Sequence, residues 1–311
     1  MINFRYHVVS LTAVFLALAI GLVVGTAALN GPVADSLNDS VNAVSKDNKN
    51  LRDQVQLLQE EVNREEEFVN EAAPRVLAGA LTGRRVLVLT LPGGREHVEG
   101  VEAMLRTAGA RLTARVEVQD KFTDPERAVE LLDLADQAAV PTVQMSSLPT
   151  NADGVETSSA LLAAVLLDRS PVVPLADQRA VTSAYRSAGY LTVEQDGRVP
   201  GPAEVVVMVT GRPYTDREAA RKNKAVLTMV EQLDAAGRLV VAGAGVAGDG
   251  NTVSAVRGDP TLSKTISTVD NAGSSQGQLV TALTTRDQLA GRTGQYGVGA
   301  GAQSLLPKLP T

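Results

Sequence analysis

The side chains able to hold a soft metal ion or attack a substrate are few: no cysteine, two histidines and five methionines among 311 residues. Without a thiol, disulfides, thiolate metal sites and cysteine nucleophiles are excluded. His7 lies near the start of the chain and His97 stands alone far downstream, with no GxSxG, HExxH or paired-carboxylate pattern beside it. Met104, Met145, Met208 and Met229 fall in apolar or helical contexts and read as core filler, not as thioether ligands. The acidic residues scatter over helix starts and surfaces, so no general acid/base pair stands out. The expectation is a protein that is not an enzyme and that holds no cofactor or metal of its own.

Two glycine patterns could cradle phosphate. Gly243-Ala244-Gly245-Val246-Ala247-Gly248 matches GxGxxG after a strand-like run, and Asp270 follows 22 residues beyond its last glycine, as in a dinucleotide fingerprint. That fingerprint needs a helix whose N-terminus receives the pyrophosphate. Here Asp249-Gly250-Asn251 and the run from Val253 to Val256 read as a turn and a strand, which favours a structural turn. Nucleotide binding through Gly243, Gly245 and Gly248 is kept as an alternative. Pro92-Gly93-Gly94 precedes a helix-like segment, but no Lys-Ser/Thr follows and Glu96 would oppose an anion there.

The elements around these residues explain the chain better than any motif does. From Val8 to Leu29 run 22 residues without a charge, enough helix to cross about 30 Å of hydrocarbon. A signal peptide has a shorter apolar core of about 7–15 residues, so an uncleaved anchor is expected over 8–29. Arg5 before it and Asp35 and Asp39 after it place residues 1–7 in the cytoplasm and the bulk of the chain outside, a single-pass topology. Ala13, Ala17, Gly21 and Gly25 recur every four residues and give one smooth helix face suited to close packing with a second helix.

Beyond Asn30-Gly31-Pro32 the apolar period changes to a heptad over 34–73. Position a reads Ala34, Val41, Asn48, Val55, Val62 and Val69, and position d reads Leu37, Val44, Leu51, Leu58 and Glu65. β-branched a residues with mostly Leu at d favour two parallel strands, and one buried Asn at a, Asn48, fixes register at a cost in stability. Asp47 at g would attract Arg52 at e of a partner, whereas Glu61 and Glu66 would repel, so the seam loosens beyond Val62 and Pro74 is expected to end the helix. A parallel homodimer through a stalk about 60 Å long follows. The alternative is a lone amphipathic helix lying on the rest of the chain.

From Arg84 strand-like and helical runs alternate, the mark of an α/β domain with a largely parallel sheet, spanning 84–302. Strands are expected at Arg85 to Leu91, Leu112 to Val118, Glu204 to Thr210, Arg238 to Ala242, Val253 to Val256 and Ile266 to Val269. Helices are expected up to Ala108, at Thr157 to Leu167, Gln178 to Ala188 and Asp216 to Ala236. Gly291 to Gly301 is too glycine-rich for a regular element, and 303–311 reads as a frayed tail. Gly294, Gln295, Tyr296 and Gly297 are either a close-packed backbone crossing or a loop that docks a partner, packing being favoured. The formal charge of −6, from 29 basic and 35 acidic residues spread along the chain, gives no basic stripe for nucleic acid.

The segment from Tyr6 to Gly21 (YHVVSLTAVFLALAIG), the Ile266-Ser267-Thr268-Val269-Asp270 run and Gly294 to Ala302 (GQYGVGAGA) together resemble the actinobacterial MctB family, also called SteB, over nearly the whole chain. The resemblance implies copper homeostasis, described as copper transport or a pore in the mycobacterial outer envelope. It also implies a cell-envelope role with a neighbouring membrane partner, SteA, at the division site. The residues fit a pore poorly: one apolar helix cannot enclose an aqueous path, and the alternating strands of a membrane barrel are missing from the pattern. With so few soft or imidazole ligands, direct copper coordination is disfavoured, and a non-enzymatic scaffold acting on copper indirectly is the expectation. A copper channel or transporter proper is the alternative.

Overall fold

The computed structural model describes residues 4–30, 32–143, 149, 151–169, 171–195, 201–245, 247, 248 and 250–308. Its contacts divide the chain into two units, Met1–Glu65 and Glu66–Thr311.

In the first unit, helix α1 (Phe4–Asn30) contains a stretch, Phe4–Ala27, long and apolar enough to cross a membrane, and none of it is buried. The hydroxyls of Thr12 and Thr26 donate back to the carbonyls of Val8 and Leu22 at 2.7 and 2.9 Å, which satisfies polar groups inside the helix as a lipid environment demands. Helix α2 (Pro32–Val76) follows. Val41, Val44, Leu51, Val55, Leu58 and Val62 all lie exposed along it.

Pro74 does not end α2, as the sequence had led one to expect. The helix passes through it to Val76, and the Leu77 N–H still bonds the Ala73 carbonyl at 2.8 Å. Proline at 74 forfeits one backbone bond, but Ala73 and Leu77 are buried in the second unit, and that packing holds the last turn.

The second unit is built on a seven-stranded sheet. In chain order its elements are β1 (Arg85–Thr90), α3 (Val98–Thr107), β2 (Arg111–Val118), α4 (Ala128–Ala138), α5 (Gly154–Leu166), α6 (Leu175–Ser187), β3 (Leu191–Gln195), β4 (Val205–Thr210), α7 (Ala219–Ala236), β5 (Arg238–Gly243), α8 (Thr252–Gly258), α9 (Leu262–Thr265), β6 (Ser267–Val269), α10 (Ser275–Leu289) and β7 (Gln295–Tyr296). The strand order is β3-β2-β1-β4-β5-β6-β7, parallel except for β3, which runs antiparallel to β2 at one edge. β1 and β4 are apolar runs buried on both faces, the pattern of central parallel strands covered by helices on each side.

The two-residue period sorts the strands onto two cores. Leu87, Leu89, Val206, Met208, Leu239 and Val241 face the layer formed by α4 to α9. Val86, Val88, Val205, Val207, Val240 and Ala242 face α3, α10 and the turns of α2 carrying Val69 and Ala73.

Three further expectations change. Val253 to Val256 is part of helix α8, not a strand: the Asn251 side chain caps it by accepting from the Val253 N–H at 2.8 Å, and Val253 and Val256, three apart, are buried on one face. The glycine-rich 291–301 segment contributes strand β7, paired with β6. The tail is held at least as far as Lys308, whose carbonyl accepts from Arg286 at 3.3 Å; Gln303 N–H bonds the Gln295 carbonyl at 2.7 Å. Residues 309–311 of the expected tail, 1–3 of the expected cytoplasmic end, and Val246 and Asp249 of the glycine motif lie outside the described residues.

Candidate functional site

In an open parallel sheet, ligands sit beyond the carboxyl ends of the strands, at the point where strand order reverses. That point lies here between β1 and β4. The Pro92–Gly94 turn occupies it, backbone against backbone. A Cβ on Gly94 would stand 2.6 Å from the Val209 carbonyl oxygen, and one on Gly211 would overlap the Gly93 carbonyl. These glycines are needed for contact between two chain segments, and they leave no cradle between them.

The Gly243–Gly248 turn is likewise taken up by the protein itself. Gly243 carbonyl accepts from Ala272 N–H at 2.7 Å, Ala244 N–H donates to the Thr210 carbonyl at 2.8 Å, and Ala244 carbonyl accepts from Gly273 N–H at 3.1 Å. The helix that follows has seven residues, and its own Asn251 caps it. Asp270, placed where a ribose hydroxyl would be read, is completely buried.

Asp270 is instead the hub of a protein-only network. Its carboxylate accepts from Arg257 Nη1 at 2.7 Å, Val298 N–H at 2.7 Å and Gly299 N–H at 3.0 Å. The Arg257 side chain, 4% exposed, also donates to Thr268 Oγ1 at 2.9 Å, Ala300 carbonyl at 2.9 Å and Tyr296 carbonyl at 2.6 Å. The fork of the guanidinium thereby ties α8, β6 and the 296–300 loop together. Gly297, at φ +126°, lies so close to Asp270 that any Cβ there would overlap the carboxylate. Gly294 and Gln295 are buried too, with the Gln295 side-chain amide donating to the Ser263 and Ile266 carbonyls at 3.0 Å each. Tyr296 is half-buried, and Val298 is the residue that faces outward. Arg257 carried no signal in the sequence; the density of glycines at 294, 297, 299 and 301 was the visible trace of this network.

Metal ligands do not converge. Among the described residues no three His, Asp or Glu side chains group closely enough to hold an ion. Met104, Met208 and Met229 are buried in the cores, and Met145 lies outside the described residues. The His97 ring rests against Gly273 at the start of α3. One cavity, about 420 Å³, is lined by Arg179, Thr182, Ser183, Arg186 and Val193, and two guanidinium groups repel a metal cation. A second, apolar cavity of about 290 Å³ is lined by Val69, Leu279, Val280, Val298, Leu305 and Leu306, with Asn271, Gln276 and Gly297.

Hydrogen bonds from Lys121, at 2.6 Å, and Arg127, at 2.9 Å, hold Glu130 down at about 2. Burial raises Asp234, opposed by its hydrogen bond from Thr265. Glu102, buried on α3, meets Arg106 at 2.9 Å and Arg115 at 3.9 Å, a structural pairing.

A family model described as "Copper transport outer membrane protein, MctB" matches residues 1–307. The chain belongs to the MctB family. Copper transporter MctB of Mycobacterium leprae (strain TN) is 30% identical over 314 residues, covering 98% of this chain and 99% of the relative. Copper transporter MctB of Mycobacterium tuberculosis (strain ATCC 25618 / H37Rv) and that of Mycobacterium bovis (strain ATCC BAA-935 / AF2122/97) are each 28% identical over 312 residues, with the same coverage. This member of the MctB family has an apolar helix, a long second helix and an α/β unit, and the family's copper description is not matched by a ligand cluster among its described residues.

The interface residues proposed from sequence, Val41, Val44, Asn48, Leu51, Val55, Leu58 and Val62, all lie exposed on α2. Ala17 and Gly21 lie exposed on α1, and Gly25 is half-buried there. A Cβ on Gly21 or Gly25 would meet nothing within 4 Å.

Proposed function

We propose that this MctB-family protein is a membrane-anchored, parallel dimeric scaffold of the cell envelope that acts on copper tolerance indirectly. Its N-terminus is cytoplasmic, its α/β unit extracytoplasmic, and a SteA-like membrane protein is its partner. The observation that carries this reading is the seam of six large apolar side chains on α2, each 48–65% exposed in the single chain. Such a seam at heptad spacing has one economical use, which is to bury itself against a second copy. The positive-inside rule supports the orientation. The scattered ligands and the arginine-lined cavity support an indirect link to copper.

A copper transporter proper is the second reading, favoured by the family's description. One experiment separates the two. Cells lacking the protein are complemented with the natural chain or with Val55→Asp/Leu58→Asp, and copper tolerance is scored beside the mass of each purified full chain by light scattering. The scaffold reading expects a monomer and lost tolerance for the double variant, with no copper flux by the natural chain in liposomes. Copper flux through the purified natural chain would establish the transporter instead, and an unchanged dimer in the double variant would remove the seam from the interface.

A further inference from the structure

We infer that the arginine-lined cavity between strand β3 and helix α6 takes an extended acidic segment of a partner protein, which adds a further strand to the sheet and sets its carboxylates on Arg179 and Arg186. This goes beyond the stalk pairing and does not depend on it. β3 is the last strand on its side of the sheet: among the described residues it pairs with β2 and with no strand beyond it. An edge of this kind presents backbone N–H and carbonyl groups to which an extended segment can add. The direction of those groups follows from one bond. Gln119 N–H donates to the Tyr190 carbonyl at 3.0 Å, one step past the Val118–Leu191 pair. Hydrogen-bonded pairs alternate along an antiparallel ladder, so Thr192 and Glu194 spend their backbone groups on β2, and Val193 between them turns its own outward. The Val193 side chain is half-buried against the core under α6 and lines the cavity. One residue thereby offers an incoming strand its backbone bonds and forms the floor beneath it.

Charge selects an acidic segment. α6 buries Gln178, Val181 and Tyr185, and the flank that carries Asp177 is turned toward the chain just past α4, where Thr142 donates to Asp177 at 2.5 Å. Arg179, Thr182, Ser183 and Arg186 recur at i, i+3, i+4 and i+7 on the opposite flank, over Val193. Thr182 gives its hydroxyl to the Gln178 carbonyl at 2.8 Å, which leaves the two guanidiniums and Ser183 to receive a ligand. Among the described residues neither arginine is paired with a carboxylate. The seven-residue step from Arg179 to Arg186 covers about 10 Å of helix. Side chains on one face of a strand repeat about every 7 Å, so acidic residues at the first and fifth positions of a bound strand, about 14 Å apart, come within reach of the two long arginine side chains. The third position, on the same face, then lies over Ser183 and Val193 and calls for a small apolar side chain.

The probe is a short fluorescein-labelled peptide with threonine on one face of its strand and glutamate, valine and glutamate in turn on the other, titrated by anisotropy into the full chain in detergent. Expected is micromolar binding that falls as salt rises and weakens at least about 10-fold for Arg179→Ala/Arg186→Ala, with the Val193 amide protected from hydrogen exchange in the complex. A second peptide keeps both carboxylates but carries methyl groups on the backbone nitrogens that would face β3, and it should not bind. Val193→Pro, which removes an outward N–H and no bond to β2, should abolish binding while the far-ultraviolet circular dichroism of the chain stays unchanged. A peptide with lysine in place of both glutamates should not bind. Absence of binding by the parent peptide, equal binding by its methylated form, or equal binding by the double arginine variant would each overturn the inference.

Discussion

Asp270→Asn is the sharpest probe of the head's construction. The substitution keeps shape and volume while removing the charge that Arg257 and two backbone N–H groups share. An amide in that place keeps one acceptor and turns an N–H₂ toward groups that are themselves donors. Breaking one side of a buried ion pair costs about 3–5 kcal/mol, a large part of the roughly 5–15 kcal/mol that holds a domain folded. With a urea slope of about 2–3 kcal/mol per M for a unit of this size, the unfolding midpoint should fall by about 1–2 M. The near-ultraviolet signal of the buried Tyr185 and Tyr190 follows the transition in detergent-solubilised full chain. Because the pair is buried, raising salt should not shrink the difference. Arg257→Met should cost a similar amount, and the double variant should cost clearly less than the two effects added. A midpoint shift below about 0.2 M for Asp270→Asn, or strict additivity, would refute the assignment of Asp270 as the hub.

Gly297→Ala, with φ +126° and a Cβ driven into Asp270, should destabilise by about 2–4 kcal/mol, read as a lower urea midpoint and faster cleavage of the 294–304 segment in limited proteolysis. Glu130 is held at about 2 when folded against roughly 4.3 when unfolded. The stabilisation it gives is therefore present above about pH 4.3 and lost as pH falls toward 2; Glu130→Gln should flatten that part of the acid limb in thermal melts, and an identical acid limb would count against the pairing with Lys121 and Arg127. Asn48→Val should raise the thermal midpoint of the stalk while loosening its register and oligomer state, seen by circular dichroism together with sedimentation.

The central strands were legible because short β-branched runs such as Val-Leu-Val-Leu and Val-Val-Val-Met, bounded by turn residues, fit strands covered on both faces. The uncharged run from Val8 to Leu29 was equally plain, being long and apolar enough for a membrane-spanning helix. Val253 to Val256 misled because β-branched residues carry strand preference, while the outcome was decided by the Asn251 cap and by burial of Val253 and Val256 against the core, neither visible locally. Pro74 misled for a related reason: tertiary packing of Ala73 and Leu77 outweighed one lost backbone bond. At the candidate site, the glycines at 294 and 297 were noticed, but Arg257 was not. It lies 13 residues from Asp270 and about 40 from Tyr296 and Ala300, and contacts at that separation leave no periodicity to read.

The knot around Asp270 also bears on how the molecule is made. Every strand from β1 to β6 and all the helices precede the stretch that supplies β7 and the amides of Val298 and Gly299. Until those residues are made, Arg257 lacks its bonds to Tyr296 and Ala300 and Asp270 lacks those from Val298 and Gly299. A chain stopped just short of Gly294 should therefore lack the last strand of the sheet and the two amides that Asp270 accepts from, and be cut by a protease sooner than the full chain.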